Sequence, residues 1–299
     1  MKKPNFFLVG APKCGTTTLN KYLKSHPEIF MIRKESHYFN TDMQVGARMF
    51  TQLKAYLELY KTCKPTHLAV GEASVWYLFF SKALSNIYQF NENAKIIVMV
   101  RNPIEMTFSL FSQLRYNLQE DQESFEKAWY LQEIRKQGKM LPSHIYEPKR
   151  LQYGKVGRLG DQLERAYSIF PGEQIKVIVF DDFVTDTRRI YQETLLFLGI
   201  SDDGRTEFQK FNKNKVYNIQ WLHQFIQKPP KVLKKILNRW RYVRDFKNVI
   251  MDSIENLNQT EIQRSPLSDD FCQELADYFH DDVKKLSKLL DRDLMHWVE

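Results

Sequence analysis

The segment Gly10-Ala11-Pro12-Lys13-Cys14-Gly15-Thr16-Thr17-Thr18-Leu19 follows directly on the apolar run Phe6–Gly10 and crowds glycines, a lysine and three threonines into one turn. Where a strand passes through such a turn into a helix, backbone N–H groups point outward and surround a phosphate. An ATP or GTP loop reads G-x-x-x-x-G-K-[ST], but here Thr16 stands where the lysine belongs and the lysine has moved to position 13. That shift argues against a triphosphate, because the missing lysine is the group that reaches the β- and γ-phosphates. Lys13 is placed instead to neutralise charge building on a phosphate oxygen as a group leaves it. A lone Gly-x-x-x-x-Gly is more often a turn that binds nothing, so it is the lysine and threonines together that single this one out. Cys14 has no identifiable partner base and reads as filler within the ligand-binding run, not as a thiolate nucleophile.

A second cation ends a second apolar run. Lys95-Ile96-Ile97-Val98-Met99-Val100 leads into Arg101-Asn102-Pro103, and Ser109 follows on the helix that the proline begins. Alone, an arginine at a strand end is more often a structural ion pair; beside the first loop it becomes a candidate anion clamp. A third constellation is Arg33-Lys34-Glu35-Ser36-His37-Tyr38-Phe39. In extended chain Glu35 and His37 project to the same side, where either can take a proton from an attacking hydroxyl. The bland reading of this pair is a loop carboxylate beside a hydrogen-bonded histidine.

Four β-rich runs, Phe6–Gly10, Leu68–Gly71, Lys95–Arg101 and Ile175–Phe180, alternate with stretches of helical period. Helices are expected over Thr16–Ser25, Val45–Tyr60 and Pro103–Arg115, around Leu159 to Phe170, and from Ser268 or Asp269 through Leu290. This alternation predicts one α/β domain over residues 1–299, a central parallel sheet flanked by helices, with a P-loop-like turn after its first strand. With 43% hydrophobic residues the chain can bury a sizeable core. Cysteines number three and lie far apart, and no apolar run approaches the roughly 20 residues of a membrane helix. No transmembrane segment and a cytoplasmic protein are therefore expected. A net charge of +8 points to an anionic ligand without saying which. The seven histidines show no metal-ligand spacing, so no metal is expected.

With these motifs in view, the sequence resembles the sulfotransferases that use 3′-phosphoadenosine 5′-phosphosulfate (PAPS), most of all their carbohydrate-type and bacterial branch. Pro12-Lys13-Cys14-Gly15-Thr16-Thr17-Thr18-Leu19 looks like the family's 5′-phosphosulfate loop, and Arg101-Asn102-Pro103 with Ser109 like its 3′-phosphate motif. The resemblance implies that Lys13 and the amides of Gly15, Thr16, Thr17 and Thr18 hold the phosphosulfate, while Arg101 and Ser109 bind the 3′-phosphate. It is weaker through Gly157, Gln162-Leu163-Glu164 and Ile175–Phe183. In the family a late basic loop folds over the nucleotide, which makes Lys213 and Lys215 candidates. The Lys-Glu-x-His-aromatic-Phe segment of glycosaminoglycan-type members maps the proposed base onto Glu35, with His37 beside it. For this chain the resemblance implies sulfuryl transfer from PAPS to a hydroxyl, or an amine, of a carbohydrate or small molecule, with no nucleic-acid partner.

Gly71-Glu72-Ala73-Ser74-Val75-Trp76-Tyr77 departs from the family pattern, since Ala73 replaces a lysine common in glycosaminoglycan enzymes and so leaves the sulfate without that second cation. Trp76, Tyr77, Phe79 and Phe80 are candidates for an acceptor pocket, although aromatics after a strand are as often core. Between Lys228 and Lys247 eight basic residues stand against Asp245 alone, interleaved with Val232, Ile236, Trp240 and Val243 at helical spacing. That stretch is a solvated helix face, an acceptor platform or a membrane or nucleic-acid surface. Two other function classes stay open on sequence alone: a P-loop kinase, and a non-catalytic binder of anionic polymers or membranes.

Overall fold

The computed structural model describes residues 2–44, 46, 50–209, 215–217, 259–261 and 266–299. Five strands form one sheet: β1 (Phe6–Gly10), β2 (Ile29–Met31), β3 (Ala69–Ala73), β4 (Lys95–Val100) and β5 (Ile175–Val179). Their spatial order is β2-β3-β1-β4-β5 and every pairing is parallel. β1 is buried at all five positions and β4 at all but Lys95. Such uninterrupted apolar strands are what a parallel sheet needs, because crossover helices cover both faces. The helices α1 (Thr16–Lys24), α2 (Leu53–Leu57), α3 (Ala83–Phe90) and α4 (Pro103–Tyr116) alternate with the first four strands.

After β4 the chain adds the helix Leu159–Tyr167, β5, the helix Thr187–Leu198 and the C-terminal helix Asp269–Leu290. Ser268 caps the last of these, its hydroxyl accepting from the Phe271 amide at 3.4 Å. Asp282 in turn caps the helix Leu159–Tyr167, accepting from the amides of Gly160 (2.8 Å) and Asp161 (2.9 Å). A Cβ on Gly160 would lie 2.4 Å from the Asp282 carbonyl, so a side chain there would push the two helices apart.

The parallel α/β sheet is as expected, with local corrections. β3 begins at Ala69 and not Leu68, which is exposed, and it runs on to Ala73. β4 and β5 each stop one residue early, releasing Arg101 and Phe180 from the sheet. The edge strand β2 is an addition to the expected strands, since three residues carry too little pattern. Of the helix expected over Val45–Tyr60, the described residues from 50 onward show α2 and a 3₁₀ turn at Glu58–Tyr60, because Gln52 is extended (φ −108°, ψ 133°) and starts a new element. Lys213 and the basic stretch Lys228–Lys247 lie outside the described residues. Lys215 opens a short strand, Lys215–Tyr217, paired antiparallel with Gln259–Glu261.

Candidate active site

Parallel strands all present their carboxyl ends at the same edge, and β1 is flanked by β3 and β4, which the chain reaches on opposite sides. That arrangement opens a crevice at the strand ends. A cavity of about 620 Å³ lies there. Every strand contributes to it: Lys13 follows β1, Glu35 and His37 follow β2, Val75 and Trp76 follow β3, Arg101 follows β4 and Phe180 follows β5.

The first turn is shaped by Gly15, which takes φ +84° and caps α1 with no side-chain oxygen. A Cβ there would also press on the Phe180 ring at 3.1 Å, so both backbone and space demand glycine. The N-terminus of α1 lies at the cavity, with Thr16, Thr17 and Thr18 in its wall, although the Thr18 amide is already donated to the Gly15 carbonyl at 3.0 Å. Cys14 is the exception among the candidates in this turn. It lies fully buried beneath the cavity, its thiol pushed up to about 12 by burial.

Arg101 is held on several sides. Its guanidinium lies 4.4 Å from the centre of the Phe180 ring, donates to the Lys13 carbonyl at 3.3 Å, and grips Glu105 at 3.0 Å and 2.6 Å. Asn102 caps α4 with its side-chain oxygen and donates its amide to the Trp297 carbonyl at 3.1 Å. Ser109, on α4, is buried in the same cavity wall.

The turn after β2 brings Glu35 and His37 together. Glu35 Oε1 pairs with Lys34 at 2.9 Å; its Oε2 lies 3.4 Å from His37 Nε2 and accepts from the Val75 amide at 3.2 Å. Burial, reinforced by the charges of Arg150 and Lys34, lowers the His37 pKa to about 4 against the pull of Glu35. The ring is therefore neutral near pH 7.

Four contributors carried no assignment from sequence. Lys34 Nζ reaches Thr17 Oγ1 at 3.1 Å and Thr16 Oγ1 at 3.4 Å, which puts a cation beside the phosphate-type turn although Ala73 provides none. Arg150 stacks on Trp76 with 4.8 Å between guanidinium carbon and ring centre and lines the same cavity. Phe180 backs Arg101, and Glu72 lies fully buried on β3 below the Glu35 turn. Of the four aromatics proposed for an acceptor pocket, Trp76 alone is in the cavity wall. Tyr77 and Phe80 are core, and Phe79 packs edge-on against Trp76 and Phe80.

A model of the sulfotransferase domain matches residues 3–266. The chain belongs to the sulfotransferase family. A sulfotransferase from Alicyclobacillus acidocaldarius has the same fold, with TM-score 0.74, 27% identity and both chains covered in full. Among curated proteins, this sulfotransferase is 25% identical over 248 residues to carbohydrate sulfotransferase 15 of Rattus norvegicus, covering 66% of this chain and 44% of that protein. It is 23% identical over 189 residues to heparan sulfate glucosamine 3-O-sulfotransferase 5 of Homo sapiens, covering 61% and 49%. A shorter match, 32% over 109 residues, is to membrane-associated sulfotransferase kil1 of Dictyostelium discoideum, covering 36% and 22%. The enzyme thus spans about half or less of the curated relatives it matches. Among its described residues no helix is long and apolar enough to cross a membrane.

Proposed function

We propose that this sulfotransferase takes its sulfuryl group from PAPS and delivers it to a hydroxyl of a carbohydrate or a carbohydrate-like small molecule. The observation that carries this reading is the convergence of Lys13, the α1 amides, Arg101, Ser109 and Glu35 on one cavity at the carboxyl edge of the sheet. The residues suit a ligand with anionic groups at two ends. The Lys13 turn and the uncapped α1 N-terminus would hold a 5′-phosphosulfate, and Arg101 with Ser109 a 3′-phosphate. PAPS, when bound, supplies an activated sulfuryl group whose departure leaves negative charge on the 5′-phosphate. Lys13 and Lys34 stand where that charge would form, and stabilising it is electrostatic catalysis.

Glu35 takes the acceptor proton in this reading. His37 Nε2 lies 3.4 Å from the carboxylate, the Val75 amide donates to the same oxygen and Lys34 holds the other, so the base is oriented before an acceptor arrives. The cavity wall also holds Gln113, Asn117 and Gln119 and the Trp76 ring, and neutral amides with an aromatic face suit sugar hydroxyls. The names of the carbohydrate and heparan sulfate relatives support the same choice of acceptor. The cysteines are all unpaired, in keeping with a cytoplasmic, reducing compartment.

Two measurements test this. Calorimetry with 3′,5′-adenosine bisphosphate should show binding that Lys13→Glu and Arg101→Glu each abolish. Incubation of sulfur-labelled PAPS with a panel of saccharides and host metabolites should yield a sulfated product by mass spectrometry. Absence of heat with the folded wild-type enzyme would remove the nucleotide assignment, and label found only on amines or phenols would remove the acceptor class.

A further inference from the structure

The turn that carries Glu35 is held in an unfavourable backbone shape, with φ +66° at Glu35 and +52° at His37. Neither residue is glycine, and positive φ of this kind persists only where the surroundings over-determine it. What holds it is visible in three consecutive amides. The His37 amide donates to Ser74 Oγ at 3.2 Å, the Tyr38 amide to Ser36 Oγ at 3.3 Å, and the Phe39 amide to Tyr77 Oη at 3.3 Å. Each of those hydroxyls then donates its own proton to one atom, Glu72 Oε1: Ser74 at 2.8 Å, Tyr77 at 2.6 Å, and Ser36 in a shorter contact. The other oxygen, Oε2, accepts from Tyr56 Oη at 2.5 Å, and Tyr56 is within 2.9 Å of Tyr60 Oη.

A hydroxyl has one proton, so committing it to a carboxylate turns the lone pairs toward other donors. Glu72 thereby aims three acceptors at three successive amides; burial raises its pKa, and the hydrogen bonds from Ser36, Tyr56, Tyr77 and Ser74 oppose that rise. Glu72, Ser36, Ser74 and Tyr77 are all fully buried, and no lysine or arginine contacts this carboxylate among the described residues. Fold alone does not require a charge here, since apolar residues fill the neighbouring β3 positions Ala69, Val70 and Ala73.

We propose that Glu72 is a positioning residue for sulfuryl transfer: through the hydroxyls of Ser36, Ser74 and Tyr77 it clamps the strained turn that aims Glu35 and shields His37. The proposal rests on Glu35 being the base. Glu72 acts through that residue and touches neither nucleotide nor acceptor.

The test uses the full chain, PAPS, and water as the probe acceptor, reading release of 3′,5′-adenosine bisphosphate. Glu72→Gln, and Ser74→Ala as a smaller change that spares the core, should each slow release about tenfold or more. Affinity for 3′,5′-adenosine bisphosphate should stay within about twofold. Amide hydrogen exchange at residues 37–39 should rise, and the NMR titration midpoint of His37 should move up from about 4 toward its ordinary value as the ring loses its shelter. In a Glu35→Gln background the same substitutions should slow release no further, because the residue they act through is already lost. Normal release from either folded variant, or losses that multiply with Glu35→Gln, would overturn the clamp while leaving Glu35 as the base. Normal release from Glu35→Gln alone would instead remove the base itself, and the clamp's catalytic purpose with it.

Discussion

Glu35 and His37 share a turn but differ in burial, His37 being the more enclosed. Glu35→Gln should leave binding of 3′,5′-adenosine bisphosphate within about twofold while turnover drops by roughly 10²- to 10⁴-fold, the usual worth of a positioned acid or base. Steady-state rates with a sulfated-product readout check both parts. For His37 the sign is set by burial. Its pKa falls from the ordinary 6.5 to about 4 on folding, so the unfolded chain takes up a proton that the folded chain refuses. The stability this residue contributes is full above pH 6.5 and is lost as pH falls toward 4, by about 3 kcal/mol in all. Denaturant titrations between pH 7 and 4 should therefore show a shallower loss for His37→Gln than for wild type. The places of Lys13 and Arg101 at the cavity were legible from spacing, because each sits where a strand gives way to a helix, and Ser109 follows on the helix after Arg101. The base role of Glu35 came from family resemblance and is a proposal. Lys34 and Arg150 were not, since what brings them to Thr17 and Trp76 is tertiary placement with no local signature. Glu72 did carry one, a carboxylate within an otherwise apolar or small-residue strand, Ala69–Ala73.

At the level of elements, the turn from β1 into α1 is the most constrained piece of the chain. Gly15→Ala should destabilise the protein by about 1–2 kcal/mol, from the left-handed backbone cost and the push against Phe180 at 3.1 Å. It should also weaken nucleotide binding, which thermal shift with and without 3′,5′-adenosine bisphosphate would separate from the loss of stability. Strands β1 and β4 were readable because burial on both faces leaves an unbroken apolar run, each ending shortly before a candidate site residue. Residues 45–60 misled for a physical reason. Tyr56 and Tyr60 keep helical spacing, but both turn inward to the Glu72 hydroxyl network, and the extended Gln52 breaks the segment before them. Among the described residues of that pattern only Tyr56 and Tyr60 record burial, since Leu53 is exposed, and neither marks the length of a helix.

For the molecule as a whole, a structural ion pair backs the cavity. Loops at the carboxyl edge of the sheet line it, and a buried ion pair between Arg135 and Glu120 follows directly on Gln119 of its wall, with both side chains fully shielded from solvent. Glu120 also accepts from Tyr153 Oη at 2.7 Å. Glu120→Gln would leave the buried guanidinium with Asp121 Oδ1, at 2.8 Å, as its remaining carboxylate partner and should cost up to about 3–5 kcal/mol in urea unfolding. The α/β alternation made this architecture readable in outline. The pairing order of the strands was not readable, because it depends on which side of β1 each crossover chooses to pack.

The grip on Arg101 has a thermodynamic outcome. Phe180, Glu105 and the Lys13 carbonyl already hold the guanidinium in one orientation, so a long side chain that would otherwise surrender about 2 kcal/mol of rotamer freedom on capturing a phosphate has little left to surrender. Phe180→Ala should return that freedom to the empty enzyme. Calorimetry would then record a larger entropic penalty for the nucleotide with its heat of association largely kept, the mark of a ligand site whose order was set during folding.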